Sequence, residues 1–196
     1  MKRLVSFLSV ALVGLSMAFA RGTYAGDVQF HVGLDLTEVK IESQNYELKK
    51  DSFAFDVATW HLFALNDVIR LGFTASLDGI AGNNQLAYDF NVGPAIGFDL
   101  GNVVRFGATI GLNVGGQVSS EGIDYVNVFS ELLGATFGVQ AKFIPQSKVS
   151  PLIGYRFVSS FANNYDVEGT HVTKYNVKEN LNFYENVFYT GLSINF

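Results

Sequence analysis

FYENVFYTGLSINF, residues 183–196, closes the chain and decides how the rest is read. From Tyr184 onward every second residue, Asn186, Phe188, Thr190, Leu192, Ile194 and the terminal Phe196, tends to the apolar. The residues between them, Val187, Tyr189, Gly191, Ser193 and Asn195, are mostly small or polar. Successive side chains of a strand point to opposite faces, so this stretch is a β-strand with one greasy side.

The same alternation recurs upstream. Val28, Phe30, Val32, Leu34 and Leu36 oppose Gln29, His31, Gly33, Asp35 and Thr37, and Phe53, Phe55 and Val57 oppose Ala54, Asp56 and Ala58. It continues over residues 69–77, 86–100, 104–114, 133–143 and 151–158. Asn66-Asp67, Gly101-Asn102 and residues 145–148 are compact turns, whereas residues 42–50, 78–85, 115–124 and 159–182 are longer, polar connections. Three places interrupt the pattern. Trp60 and Leu62 break the alternation, which a bulge or an interfacial aromatic belt would explain. Pro94 falls on a greasy face and removes a ladder hydrogen bond. The phase is lost between Tyr125 and Leu132.

About eight strands joined alternately by tight and long links predict an all-β fold: a single antiparallel up-and-down transmembrane β-barrel, with short periplasmic turns and long extracellular loops. The rival is a soluble eight-stranded barrel or sandwich of the lipocalin kind. Charge placement argues against it. Asp35, Asp56, Arg70, Asp89, Asp99, Arg105, Lys142 and Arg156 all lie on the faces that carry the glycines, and the opposite faces are nearly free of charge. A narrow lumen filled by side chains suits small residues and opposed ions, and a basic residue facing lipid at mid-depth would cost about 2–4 kcal/mol. Aromatics add a second argument: Phe53, Tyr88, Tyr125 and Phe183 fall near the long-loop ends and Trp60, Phe63, Phe143 and Phe196 near the short-turn ends, as two interfacial girdles would require.

The start of the chain agrees. Lys2 and Arg3 precede an apolar run to about Ala18, and Ala18-Phe19-Ala20 is a small-x-small cleavage pattern, so residues 1–20 are expected to be a cleaved signal peptide and residues 21–196 the barrel domain. An uncleaved anchor is disfavoured because the apolar core is shorter than the roughly 20 residues of a spanning helix. The chain has no cysteine, which excludes a disulfide framework. Losing Lys2 and Arg3 from 13 basic residues set against 18 acidic ones leaves a net charge of −7, which disfavours nucleic acid as a partner.

The ending Thr190-Gly191-Leu192-Ser193-Ile194-Asn195-Phe196, with Leu192, Ile194 and Phe196 spaced by two, resembles the C-terminal assembly signal of bacterial outer-membrane barrels. With the leader, the alternation and the turn lengths, the sequence resembles the small outer-membrane barrels: the OmpA membrane domain, OmpX, OmpW and the opacity proteins. The resemblance implies residence in the outer membrane as a multi-pass barrel, most simply a monomer. It also implies lipid and, through the last strand, the barrel assembly machinery as partners, and no cofactor. The roles it implies are non-enzymatic: adhesion to a host or other partner through the loops, together with a narrow path for small solutes. The alternatives are a solute or hydrophobic-molecule channel of the OmpW kind as the main role and, behind it, a lipid A-modifying enzyme.

Eight strands leave too little bore for an open porin. Inward glycines, Gly33, Gly72, Gly107, Gly111, Gly138 and Gly154, are nevertheless expected to leave a water chain or a narrow cavity, and Arg70, Arg105 and Lys142 are expected to find counter-ions, with Asp99 among them. Asn163, Asn164, Tyr165, Asp166, Glu168, His171, Lys174 and Tyr175 mix polar and aromatic groups and are the candidate partner-binding loop. Of the three histidines, His31 is expected inward, satisfied by Asp35 or water, and His61 near the short turns. Only His171, with Ser159, Ser160 and Asp166, offers a nucleophile and a base, at no diagnostic spacing, so no catalytic site is assigned. No metal site is assigned either, in the absence of cysteine or paired histidine.

Overall fold

The computed structural model describes residues 24–41, 46–82, 85–120, 125–162, 165–169, 175–177 and 181–196; the expected leader, residues 1–20, lies outside them. Ten strands follow in order: β1 (Tyr24–Ile41), β2 (Tyr46–Ala64), β3 (Ile69–Gly82), β4 (Gln85–Leu100), β5 (Val104–Ser120), β6 (Tyr125–Phe143), β7 (Val149–Ala162), β8 (Tyr165–Gly169), β9 (Tyr175–Val177) and β10 (Leu181–Asn195). Strands β1 to β7 pair antiparallel with their chain neighbours, β7 pairs with β10, and β10 closes on β1. The result is an eight-stranded up-and-down barrel.

Its register explains its shape. Stepping from Gln29 through the paired residues Ala58, Ser76, Asn91, Asn113, Gly134, Ser160 and Phe183 returns to β1 at Val39, ten residues beyond the start. Such a stagger tilts the strands, typically by about 35–45° in closed barrels, and curls the sheet tightly. At Gly72 the curl brings the His61 carbonyl where a Cβ would sit, so only glycine fits there.

The barrel is inside out. Its outer wall exposes Phe30, Leu34, Phe55, Leu77, Phe90, Ile110, Leu112, Phe137, Ile153 and Phe188, while most of what it buries is polar or charged. A continuous apolar belt of this kind is far more than a monomer in water would expose. The short connections lie at one end. The Asn66 side chain accepts hydrogen bonds from the Val68 and Ile69 amides (2.9 and 2.7 Å), and Gly101 adopts a φ of 59° that favours glycine.

Several boundaries differ from the sequence reading. The segments 42–50, 78–85, 115–124 and 159–182, read as loops, are partly strand: β2 begins at Tyr46, β3 runs to Gly82, β5 to Ser120 and β7 to Ala162. Apolar alternation marks where a strand touches lipid, whereas backbone pairing continues past the bilayer with no apolar side required. At the loop end residues 125–128 of β6 also pair with β8, and β8 with β9, continuing the sheet above the rim. The phase lost near Tyr125 to Leu132 corresponds to a register shift between Gly115 and Gln117 opposite this stretch. Pro94 stays within β4, its carbonyl accepting from the Thr109 hydroxyl at 3.1 Å.

No bulge occurs at Trp60. The pairing of β2 with β1 and β3 is unbroken there, and Trp60 and Leu62 point inward, 5% and 1% exposed, on the same face as Ala58. The alternation persists; it is the inward face that turns apolar. The girdles are corrected accordingly. Phe53 and Tyr88 at the loop side, and Phe143 and Phe196 at the turn side, are exposed, but Trp60 and Phe183 are inside the barrel and Phe63 is buried against Tyr24 at 5.3 Å. The side chain of Tyr125 lies outside the described residues.

Candidate functional site

The inward faces of the eight strands converge on one polar chain that runs the length of the lumen. At the loop side Glu185 lies near Asp89. Asn113 Nδ2 donates to Asp89 (3.2 Å) and to Asn91 Oδ1 (2.9 Å), and Asn91 Nδ2 donates to Asp78. Arg156 Nη1 bridges Asp78 and Asp56 at 2.7 and 3.0 Å. Asp56 pairs with His31 Nδ1, and His31 Nε2 meets Gln29 Oε1 at 3.0 Å. Gln29 then donates to Asp27 at 2.9 Å, Asp27 holds Lys142, and Lys142 also donates to Asn195, which reaches Ser150 at 2.9 Å beside the third turn. Beside this chain Asp99 accepts from Arg70 at 2.6 Å and from Arg105 at 2.5 and 3.1 Å.

Of the eight charges read from sequence, Arg70, Asp99 and Arg105 thus form a turn-side cluster, while Asp56, Arg156 and Asp89 belong to the mid-lumen and loop-side chain. Lys142 ties β6 to β1 and β10. Asp35 accepts from Thr37 and lies near Asp89 and Glu185. Sequence reading missed Asp27, Asp78, Glu185, Gln29, Asn91 and Asn113. Asp78 opens a run rich in turn formers that predicts a loop, and uncharged amides carry no signal until the register places them opposite a carboxylate. His31 lies against Asp56 and Gln29 rather than Asp35, because cross-strand pairing sets His31 directly opposite Asp56.

Of the water chain or narrow cavity expected at the lumen glycines, the structure shows a small cavity, lined in part by Gly138. The Trp60 ring lies over Gly107, Tyr189 over Gly154, and His31, stacked on Tyr189 at 4.4 Å, beside Gly191. Rings take the space at Gly107 and Gly154, and backbone of the adjacent strand takes it at Gly33, Gly72 and Gly111. What remains is a cavity of about 30 Å³ touching His31, Trp60, Thr136, Arg156 and Tyr189, room for about one or two waters. Below it Trp60, Leu62, Ala58 and Ala95 pack as an apolar floor. The turn-side mouth is a shallower depression of about 420 Å³ that includes Asp67, Arg70, Asn102 and Gln146.

No family model and no curated protein matches the sequence. Among solved structures, Neisserial surface protein A is similar over 88% of this chain and 99% of its own, with a TM-score of 0.50 and 13% identity. Ail of Yersinia pestis follows with a TM-score of 0.47, 11% identity and coverages of 86% and 99%. The outer-membrane protease OmpT of Escherichia coli has a TM-score of 0.45, 9% identity and coverages of 89% and 97%; these two likenesses are too weak to bear on function. The closed barrel, its apolar belt and the first likeness agree. The chain is an outer-membrane β-barrel.

Of the residues from which a catalytic site would be built in this outer-membrane barrel, His171 lies outside the described residues. Ser159 and Ser160 lie on β7, on opposite faces, and Asp166 lies on β8 with its backbone paired to Val128 and Asn176. His61 sits at the turn side with its two nitrogens near the Tyr24 hydroxyl (2.5 Å) and the Thr59 hydroxyl (2.9 Å). Of the candidate partner loop, Tyr165, Asp166 and Glu168 fall on β8 and Tyr175 on β9; Asn163, Asn164, His171 and Lys174 lie outside the described residues. Among the described residues no group of three or more acidic or imidazole side chains is placed to hold a metal ion.

Proposed function

We propose that this barrel is a non-catalytic surface protein that recognises an extracellular partner through its loop-side extension, with a lumen closed to solutes. The observation that carries this reading is the chain of hydrogen bonds and ion pairs that fills the lumen from Asp89 to Asn195, backed by the Trp60 floor. A solute path would require breaking several buried charge pairs at once, each costly to leave half-made. With the interior committed to stability, the surface available for work is the rim, where β5, β6, β8 and β9 continue beyond the barrel.

Two measurements test this. Purified barrel in planar bilayers should be silent, and reproducible conductance steps would reject the closed lumen. Cells expressing the full chain should adhere to plates coated with serum proteins, and should lose that adherence when residues 165–177 are replaced by a Gly/Ser segment while heat-modifiable gel mobility is kept. Equal adherence of the two strains would reject the rim as the recognition surface.

A further inference from the structure

All three tight turns meet at the turn-side mouth, and backbone hydrogen bonds tie them together. The Asp99 amide donates to the Val68 carbonyl at 2.7 Å, that of Ile144 to Val103 at 2.8 Å and that of Ser147 to Ile144 at 2.9 Å, so the first turn is fastened to the end of β4 and the second to the third. Between them lies the depression of about 420 Å³, lined by residues of every turn and by Arg70 and Asp99. Strand pairing sets Asp99 directly opposite Arg105, and Arg70 opposite Gly97. A Cβ at Gly97 would stand 3.4 Å from Arg105 Cδ and 3.6 Å from Arg70 Cβ, so both arginine stems lie over the glycine and reach one carboxylate.

That cluster is uneven. Asp99 accepts from Nε of Arg70 and from Nε and Nη2 of Arg105, whereas Arg70 spends its Nε alone. Among the described residues nothing accepts from the two Nη groups of Arg70, whose side chain is 14% exposed and lines the depression. The other charges of this end leave that edge open. Lys142 is held by Asp27, Asp67 is exposed in the depression without an ion pair among the described residues, and Lys148 is exposed on the third turn outside the lining.

Neutral donors line the same depression. Asn66 Oδ1 accepts from the Val68 and Ile69 amides, which leaves its NH2 as the free end. Asn102 and Gln146, exposed on the other two turns, have no side-chain partner among the described residues. A guanidinium edge presents parallel N–H groups to two oxygens of one oxyanion. A carboxylate is used up by that fork, but a tetrahedral phosphate keeps further oxygens for the amides.

We propose that the turn-side mouth binds a small soluble phosphate, the free ion or a monoester, with the Nη edge of Arg70 as its fork and the turn amides as neutral donors. Turns already fastened to one another hold such a site without reordering on binding. It lies at the opposite end of the barrel from the rim and does not depend on what the rim recognises.

The test is calorimetric titration of the full chain folded in octylglucoside micelles, at constant ionic strength. Inorganic phosphate should bind saturably at one site per chain, and acetate at least about tenfold more weakly. Arg70→Gln should weaken phosphate binding by at least about tenfold, the loss expected for a hydrogen bond to a charged group. Asp67→Asn, which removes the unpaired carboxylate of the depression, should tighten binding, and Lys148→Gln should leave it unchanged. No saturable binding overturns the proposal. So does a loss in Lys148→Gln as large as in Arg70→Gln, which would mean diffuse attraction to this end, and acetate binding as tight as phosphate overturns the ligand class. Displacement by glycerol 3-phosphate supports a site for monoesters, and saturable phosphate binding without it supports a site for the free ion. Should Arg70→Gln fail to fold, Gln146→Glu on the exposed third turn decides: it puts a carboxylate in the depression, and phosphate binding that survives it unweakened overturns the site.

Discussion

Gly107 is glycine because the Trp60 indole lies against it: a Cβ there would stand 3.0 Å from two ring carbons and 3.2 Å from Gln140 Cγ. An overpacked site of this kind typically loses about 1–3 kcal/mol. Gly107→Val should therefore lower the unfolding free energy by about that amount in urea titrations. Trp60 is the single tryptophan of the chain, so its emission reports on the same event without ambiguity. In Gly107→Val the folded-state emission should shift to the red as the ring leaves its apolar floor; an unchanged spectrum would place the strain elsewhere.

Lys142 shows how one strand ties down two others. It is 1% exposed on β6, and its ammonium is held by Asp27 of β1 and Asn195 of β10, so it stitches the closing seam from across the lumen. Removing one partner of a buried pair leaves the other charge stranded, at about 3–5 kcal/mol. Lys142→Met should be destabilised by roughly that much. The double variant Lys142→Met with Asp27→Asn should recover most of the loss, because no uncompensated charge remains. Urea unfolding in micelles of the two single variants and the double completes the cycle. A double variant no more stable than Lys142→Met would mean that packing of the lysine stem, not its charge, matters there.

Taken whole, the protein reverses the usual distribution, with polar groups within and apolar groups without. That arrangement is stable only while the wall faces acyl chains and every lumen ion has company. Ile110, 63% exposed at the middle of β5, is on the lipid face. Ile110→Arg should cost about 2–4 kcal/mol in lipid vesicles, since a guanidinium at mid-depth has no partner and no water. Folding assays in vesicles measure this directly. A loss well below 1 kcal/mol would place this wall position near an interface rather than in the hydrocarbon.

Period-two patterning was enough to read the barrel, its eight membrane-crossing strands and the three tight turns, because lipid on one side and a packed lumen on the other impose opposite polarity on adjacent residues. The clearest stretches, such as 104–114 and 186–196, are those where both constraints act at full strength. Past the bilayer only backbone pairing operates, and for that reason β8, β9 and the outer ends of β2, β3, β5 and β7 carry a loop-like sequence. The partners inside the lumen followed from the ten-residue stagger, a property of closure that no single strand encodes. It set His31 opposite Asp56, carried Lys142 to Asp27, and brought Glu185 to Asp89; local patterning shows only which residues face inward, and the closed cylinder decides which of them meet.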